Sequence, residues 1–172
     1  MNAMDCLKNR RSIRKYKEQQ ISNEELNAVL EAGICAPTAK NLQSPIIVVV
    51  QNKEDIACMS ALNARIGGFG IDPFYGAPTV LVVLADANNP NAVPDGSLVM
   101  GNLMNAAYAA GLGSCWINRA RELFEMPEGK ALLEKWGIEG DYVGIGNCIL
   151  GYADEEQPAM KPRKEDYIRF IR

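Results

Sequence analysis

The sequence predicts a domain of alternating helices and strands in which helices cover both faces of a β-sheet, and three observations predict it. Two runs, Ile46 to Val50 and Thr79 to Ala85, are almost continuously apolar and rich in β-branched residues, the pattern of strands buried on both sides. The segments around them repeat apolar residues at helical rather than alternating spacing. At 172 residues and 48% hydrophobic composition, the chain suits one domain with a substantial core.

The elements follow in order. The opening from Met1 to Arg14 carries charges where a secretory signal needs an apolar stretch, which predicts a cytoplasmic protein. Ser22 and Glu25 form a capping box, and Leu26, Val29, Leu30 and Ile34 then mark a helix from about Ser22 to Cys35. Ala36-Pro37-Thr38 ends it, because proline cannot continue the hydrogen-bond ladder. A loop leads to Pro45 and to Ile46–Val50, expected as a central strand. Lys53 to Leu62 reads as a helix. Arg65 to Gly76 is glycine-rich and contains Pro73, a composition equally suited to a mobile cover over a ligand pocket or to an ordinary loop.

Thr79–Ala85 is a second buried strand. Asp86 and Asp95 flank a loop and are expected as strand-end and helix-cap residues. From Asp95 a helix presents Leu98, Val99, Asn102, Leu103, Ala106, Ala107 and Ala110, ending at Gly111. Strands are expected at Ser114 to Asn118 and Tyr142 to Leu150, separated by a helix from about Arg121 to Trp136 with Pro127 at a turn or kink. The tail, residues 152–172, ends in Tyr167-Ile168-Arg169-Phe170-Ile171-Arg172, whose alternation suits an edge strand able to pair with a partner subunit. No repeat or linker divides residues 1–172.

What the chain lacks narrows its chemistry. It contains no histidine, and its five cysteines stand apart at Cys6, Cys35, Cys58, Cys115 and Cys148. A Ser/His/Asp triad, a Cys/His pair and a Cys-x-x-Cys metal site are excluded, which leaves the chemistry to a bound organic cofactor. A net charge of −3 argues against broad attraction to nucleic acid or anionic membranes. Against that background two basic clusters stand out, Arg10-Arg11-Ser12-Ile13-Arg14 and Lys161-Pro162-Arg163-Lys164. Arg10, Ser12 and Arg14 can point the same way if the segment is extended, forming an anion site, although solvated basic faces are also common. Gly111-Leu112-Gly113 lacks the third glycine of a dinucleotide fingerprint, and no phosphate-binding P-loop occurs. Cys115 lies in an apolar strand with no base nearby and is expected to be inert.

Four segments in order carry a resemblance: Arg10-Arg11-Ser12-Ile13-Arg14, Ala36-Pro37-Thr38-Ala39-Lys40-Asn41-Leu42-Gln43, Gly111-Leu112-Gly113-Ser114-Cys115-Trp116-Ile117, and Gly151-Tyr152 followed by Lys161-Pro162-Arg163-Lys164. Phe74-Tyr75-Gly76-Ala77-Pro78 adds to it. In these segments the chain resembles the FMN-dependent nitroreductase family over nearly its whole length, as a short, single-domain member. The resemblance implies an α+β fold, a three-layer α/β/α sandwich with a central mixed β-sheet, forming an obligate homodimer with FMN at the subunit interface. It implies that Arg10, Arg11 and Ser12 bind the cofactor near its phosphate, with Arg163 and Lys164 completing the clamp and Lys161 as a further contact. Arg14 would face N1 and O2 of the flavin as the catalytic cation. Pro37, Thr38, Ala39 and Asn41 would come from the other subunit, and backbone groups of Ile117, Asn118 and Arg119 would approach N5 and O4. NADH or NADPH would reduce the flavin, and a nitroaromatic or quinone-like acceptor would reoxidise it. A flavin-sensing protein without nicotinamide turnover, a flavin-dependent dehalogenase and a flavin-fragmenting enzyme are the alternatives. Three departures are notable: Gln43-Ser44-Pro45 replaces the family's usual Gln-Pro-Trp, the short chain leaves Arg65 to Gly76 to supply most of any lid over the active site, and Arg65 is the candidate for a further cation at the flavin carbonyl edge.

Overall fold

The computed structural model describes residues 2–68 and 70–172; Met1, and Phe69 within the expected glycine-rich cover, lie outside the described residues. In chain order the elements are α1 (Ala3–Asn9), α2 (Asn23–Ile34), β1 (Pro45–Val50), α3 (Lys53–Gly67), β2 (Thr79–Asp86), α4 (Ala92–Ala109), β3 (Gly113–Ile117), α5 (Ala120–Glu125), α6 (Pro127–Lys135) and β4 (Tyr142–Gly151). Single 3₁₀ turns occur at Ala39–Asn41 and Glu165–Tyr167. The strands form one sheet in the order β1-β2-β4-β3.

Residue alternation along β2 builds the layers. Val80, Val82 and Leu84 face a cluster with Met59 and Leu62 of α3, Leu123 and Phe124 of α5 and Leu132 of α6. Leu81 and Val83 face the opposite cluster, with Leu26 and Val29 of α2 and Val99, Met100 and Leu103 of α4. A strand with both faces buried carries no polar alternation, so the continuous apolar run from Val80 to Ala85 follows from its position. Each fully buried leucine or valine contributes roughly 1.5–3 kcal/mol. Among the described residues, no helix is long and apolar enough to cross a membrane.

Several expectations are corrected. β1 pairs only with β2 and is an edge strand, not a central one; Val49 is 38% exposed on it. Every ladder is antiparallel, so the expected mixed sheet is not made by the chain's own strands. α1 has no counterpart in the sequence reading; it is one short stretch capped by the Asn2 side chain, which accepts from Asp5 N–H at 3.0 Å. α3 runs five residues beyond Leu62 and stops where Gly68 takes a left-handed conformation, φ 66°. Arg65 to Gly67 are therefore helical, not part of a loop. The rest of that segment is pinned: the Asp72 carboxylate accepts from the N–H groups of Phe74 at 2.8 Å and Gly76 at 2.7 Å, and Phe74 is fully buried. The helix expected from Arg121 to Trp136 is two helices, broken at Met126 with Pro127 in the first turn of α6, where its missing N–H is harmless. The final residues form no strand on their own chain, and Ile168, Phe170 and Ile171 are exposed.

One polar junction ties α3 to α6. Asp55, 6% exposed, accepts from Lys135 Nζ at 2.6 Å and Trp136 Nε1 at 2.9 Å, and the Trp136 ring meets Phe124 edge-on. These donors, Lys135 first, hold the Asp55 carboxyl below its ordinary range. Lys135 stays 56% exposed, so solvent screening limits the ionic part. Asp55→Asn is expected to cost about 1–2 kcal/mol of stability at pH 7. Because the folded pKa lies below the unfolded one, this contribution is complete above about pH 4 and fades as the pH falls through the folded value. Urea unfolding of both proteins at pH 7 and pH 3 checks this, and the difference between them should shrink at the lower pH.

Candidate functional site

The site is built on β3, the second edge of the sheet, and on the segment that follows α1. The Ile13 N–H donates to the Ser114 carbonyl at 3.1 Å. That approach is possible because Gly113 has no side chain; a Cβ there would stand 3.0 Å from Ile13 Cβ. The base of the tail lies along the other side of the same segment: Lys17 N–H donates to Tyr152 O and Asp154 N–H to Lys15 O, both at 2.9 Å. The Arg14 N–H donates to the Glu155 carboxylate, and Gln157 Nε2 to Asn9 O at 2.9 Å. Lys15 pairs with Asp154 at 2.9 Å and holds that carboxyl below its usual range. Tyr16 anchors the segment by donating its hydroxyl to Ile13 O at 2.7 Å, and burial raises the pKa of that hydroxyl.

The side chains of this segment differ in what they reach. Arg10 Nη1 is buried with no acceptor among the described residues. Ser114 Oγ and Trp116 Nε1, on one face of β3, are likewise buried without a partner. A guanidinium nitrogen in that condition is costly unless an anion meets it, so the donor set fits a phosphate-bearing cofactor. Ser12 is half-buried and Arg14 exposed. Arg11 turns back on α1, donating to Lys8 O at 2.9 Å and Arg10 O at 2.6 Å, which satisfies carbonyls at a helix end. Arg163 and Lys164 are exposed on the outer tail, and among the described residues no ion pair joins them to a carboxylate.

The second predicted loop packs against the start of α4. Lys40, Asn41 and Gln43 all have positive φ, near 50°, so the loop carries backbone strain that its surroundings must hold. Thr38 Oγ1 accepts from Gln43 N–H at 3.0 Å, and Asn41 Oδ1 accepts from Gln43 Nε2 at 3.3 Å. The main anchor is Asp95, which is 3% exposed and accepts from Ala39 N–H at 2.9 Å. This corrects its expected role: Asn91 occupies the cap position of α4, and Asp95 is a tether to the loop. Pro37 is exposed beside it.

At the far end of β3, Ile117 is buried, Asn118 exposed, and Arg119 turns the chain into α5 with φ 73°. Trp116, Asn118 and Arg119 line a cavity of about 480 Å³ with Ser97, Gly144 and Ile145. A larger cavity of about 880 Å³ lies between α3 and residues 70–78, but none of the predicted cofactor residues lines it. The smaller one adjoins the candidate residues and is the one to associate with the site. Arg65 is not available to it, being paired with Glu128 at 2.7 Å. Cys6, Cys115 and Cys148 are buried, and burial pushes the Cys148 thiol up to about 12.

A family model described as the nitroreductase family matches residues 7–152. The chain belongs to the nitroreductase family. A curated relative from Archaeoglobus fulgidus, provisionally named an NADH dehydrogenase/NAD(P)H nitroreductase, is 34% identical over 161 residues, covering 89% of this chain and 88% of the relative. An FMN reductase [NAD(P)H] from Bacillus subtilis is 28% identical over 71% of this chain and 59% of its own length. Among solved structures, a nitroreductase with bound FMN from Bacteroides fragilis superposes with a TM-score of 0.91 at 27% identity over 100% of both chains.

As a nitroreductase family member, the chain brings the segment around Arg10 and the base of its tail together at one edge of the sheet. It does not bring Arg163 and Lys164 to Arg10 by any hydrogen bond or ion pair among the described residues. Two residues serve the site from behind, one expected as a helix cap and one absent from the sequence reading: Asp95 holds the loop at Ala39, and Asn63 of α3 donates to the Asn118 carbonyl at 2.7 Å. A signal for Asn63 existed, since a polar residue follows Met59 by four on an apolar helix face.

Proposed function

We propose that this chain is an FMN-dependent oxidoreductase that takes hydride from NADH or NADPH and delivers it to an electron-poor acceptor, nitroaromatic or quinone-like, in a ping-pong cycle. The observation that carries the reading is the buried Arg10 guanidinium nitrogen without a protein acceptor, beside the β3 edge in a chain with no histidine. FMN, when bound, supplies the hydride chemistry at its N5. The chain's own residues bind and orient it. Arg10 and Ser12, with Arg11 beside them, bind the phosphate end, where Arg163 and Lys164 add positive charge from the tail. Arg14 contributes a cation for the flavin edge on which negative charge develops. Pro37, Thr38, Ala39 and Asn41 serve the cofactor bound mainly by the other subunit, and the backbone of Ile117 and Asn118 lies at the reactive edge. Residues 1–172 act as one domain.

Homodimerisation is part of the proposal. The exposed outer tail, with Tyr167 78% and Ile171 96% accessible, and the apolar edge strand β1 both suit burial against a second copy. The test is the visible spectrum of the purified, FMN-soaked protein, followed anaerobically as NADH or NADPH is added. Flavin absorbance is expected to bleach and to return with a nitroaromatic or quinone. Bound flavin that never bleaches would turn the reading towards a sensor, and no bound flavin would overturn it. Light scattering on the same sample is expected to give a dimer; a stable FMN-loaded monomer would refute the interface.

A further inference from the structure

Asn63 is a buried polar side chain among the apolar neighbours that α3 presents to the sheet. It is fully buried on α3, follows Met59 on the face turned to the sheet, and its Oδ1 has no partner among the described residues. A buried amide with one unsatisfied atom is less favourable than a leucine of similar size. What its other atom does is specific. Nδ2 donates at 2.7 Å to the carbonyl of Asn118, 55 residues away, at the point where β3 ends. A carbonyl can only accept, so the orientation of the Asn63 amide is fixed by this contact.

The turn it grips has a backbone conformation uncommon for its residue type. Arg119 adopts φ 73°, a conformation that costs a non-glycine residue roughly 1–2 kcal/mol, and it enters the short helix α5 without a side-chain cap. Asn118 itself is exposed. No peptide bond among the described residues is cis, so in the planar unit joining Asn118 to Arg119 the carbonyl and the N–H point to opposite sides. With the carbonyl drawn inwards to α3, the N–H faces away from the core. Asn118 and Arg119 also border the 480 Å³ cavity beside the site.

We propose that Asn63 is a positioning residue: by holding the Asn118 carbonyl against α3 it fixes which way the 118–119 peptide faces and so presets the backbone edge offered to the flavin ring. The flavin half of this rests on the function proposed above; the backbone half does not. Without the amide, the peptide is free to rotate and to turn a carbonyl where a donor stood, which alters reactivity without removing any group that touches the cofactor.

The test uses Asn63→Leu, which keeps the branched shape and the number of side-chain heavy atoms, and Asn63→Ser as a second variant should the first fail to fold. Amide hydrogen exchange is measured on the full chain without flavin. Exchange of the Leu123 amide, which donates to Arg119 O at 2.9 Å, is expected to speed up about ten-fold or more while the strands β2 and β4 keep their protection. Unchanged exchange at Leu123, or equal acceleration throughout, would overturn the brace. Stopped-flow bleaching of the FMN-loaded variants by NADH or NADPH is then expected to show a limiting rate about ten-fold slower, with the half-saturating nicotinamide concentration within about two-fold. Local loosening with an unchanged limiting rate would confine Asn63 to a structural role and overturn its positioning of the flavin edge. If wild-type protein binds no flavin, the function proposal fails, and the exchange result still decides the brace.

Discussion

Replacing Gly144 by alanine is expected to lower the stability of this protein by about 3 kcal/mol, among the larger effects a single added methyl group can have. A Cβ at this position would lie 2.3 Å from the Ala120 carbonyl oxygen, 2.4 Å from its carbon and 2.8 Å from Arg121 N. All three atoms are backbone, so no side-chain rotation relieves the clash. The crowding has a cause in the sheet: the register between β2 and β4 shifts between Val83 and Leu84, and Gly144 is the partner of Leu84 just past that irregularity. β4 therefore bends into the start of α5. Thermal unfolding of a chain this size should shift by about 2–4 °C per kcal/mol, giving a fall near 10 °C. Gly137→Ala is the control, because a Cβ there meets nothing within 4 Å and only its φ of 69° opposes the change. It should cost about 1 kcal/mol. Equal losses from the two substitutions would show that β4 and α5 give way to the added methyl group, so that contact with α5 does not set the requirement at Gly144.

The layered fold was legible because its signals are local. The Ser22–Glu25 capping box forms as expected, with Glu25 N–H donating to Ser22 Oγ at 3.2 Å and Ser22 N–H to Glu25 Oε2 at 2.9 Å. Gly111, at φ 77°, follows the end of α4 as a C′ residue should. β2 was recognisable because both of its faces are buried. The same reasoning misplaced β1, since an apolar run reveals hydrophobic surroundings but not which chain provides them. Exposed Val49 on that edge and the exposed Ile168, Phe170 and Ile171 pose the same problem: surface written for a contact that one chain does not contain.

Site residues divide in the same way. Arg10, Ser12 and Arg14 could be singled out because charge clusters are visible in a sequence, and Arg10 does keep a buried, unmatched guanidinium nitrogen. Arg65 was equally visible as a cation, yet Glu128, 63 residues further on, takes it. Asp95 resembled a helix cap because caps and tethers use the same residue types; only the fold brings Ala39, 56 residues away, to its carboxylate. Long-range hydrogen bonds of this sort leave no spacing to read.

Arg14→Ala and Arg163→Ala are expected to fail in different ways, and the contrast tests the proposed division of labour. Arg14 is rooted by its own N–H on the Glu155 carboxylate, which fixes where the side chain starts while leaving the guanidinium exposed. A cation held beside developing charge acts mainly in the transition state, and loss of such a donor in an enclosed site slows reaction 10²–10³-fold. Exposure weakens the effect, so flavin bleaching in Arg14→Ala should slow about ten-fold, with FMN affinity changed less than about three-fold. Arg163 lies on the exposed outer tail, where a phosphate contact contributes a charged hydrogen bond of roughly 1.5 kcal/mol. Its loss should weaken FMN retention about ten-fold, while protein saturated with FMN bleaches at the wild-type rate. Raising the salt concentration should erode the second difference by screening the charge that wild-type Arg163 supplies. Flavin titration by fluorescence and stopped-flow reduction separate the two quantities. A reversed pattern would exchange the roles of the residues, and equal, negligible effects would sink both assignments.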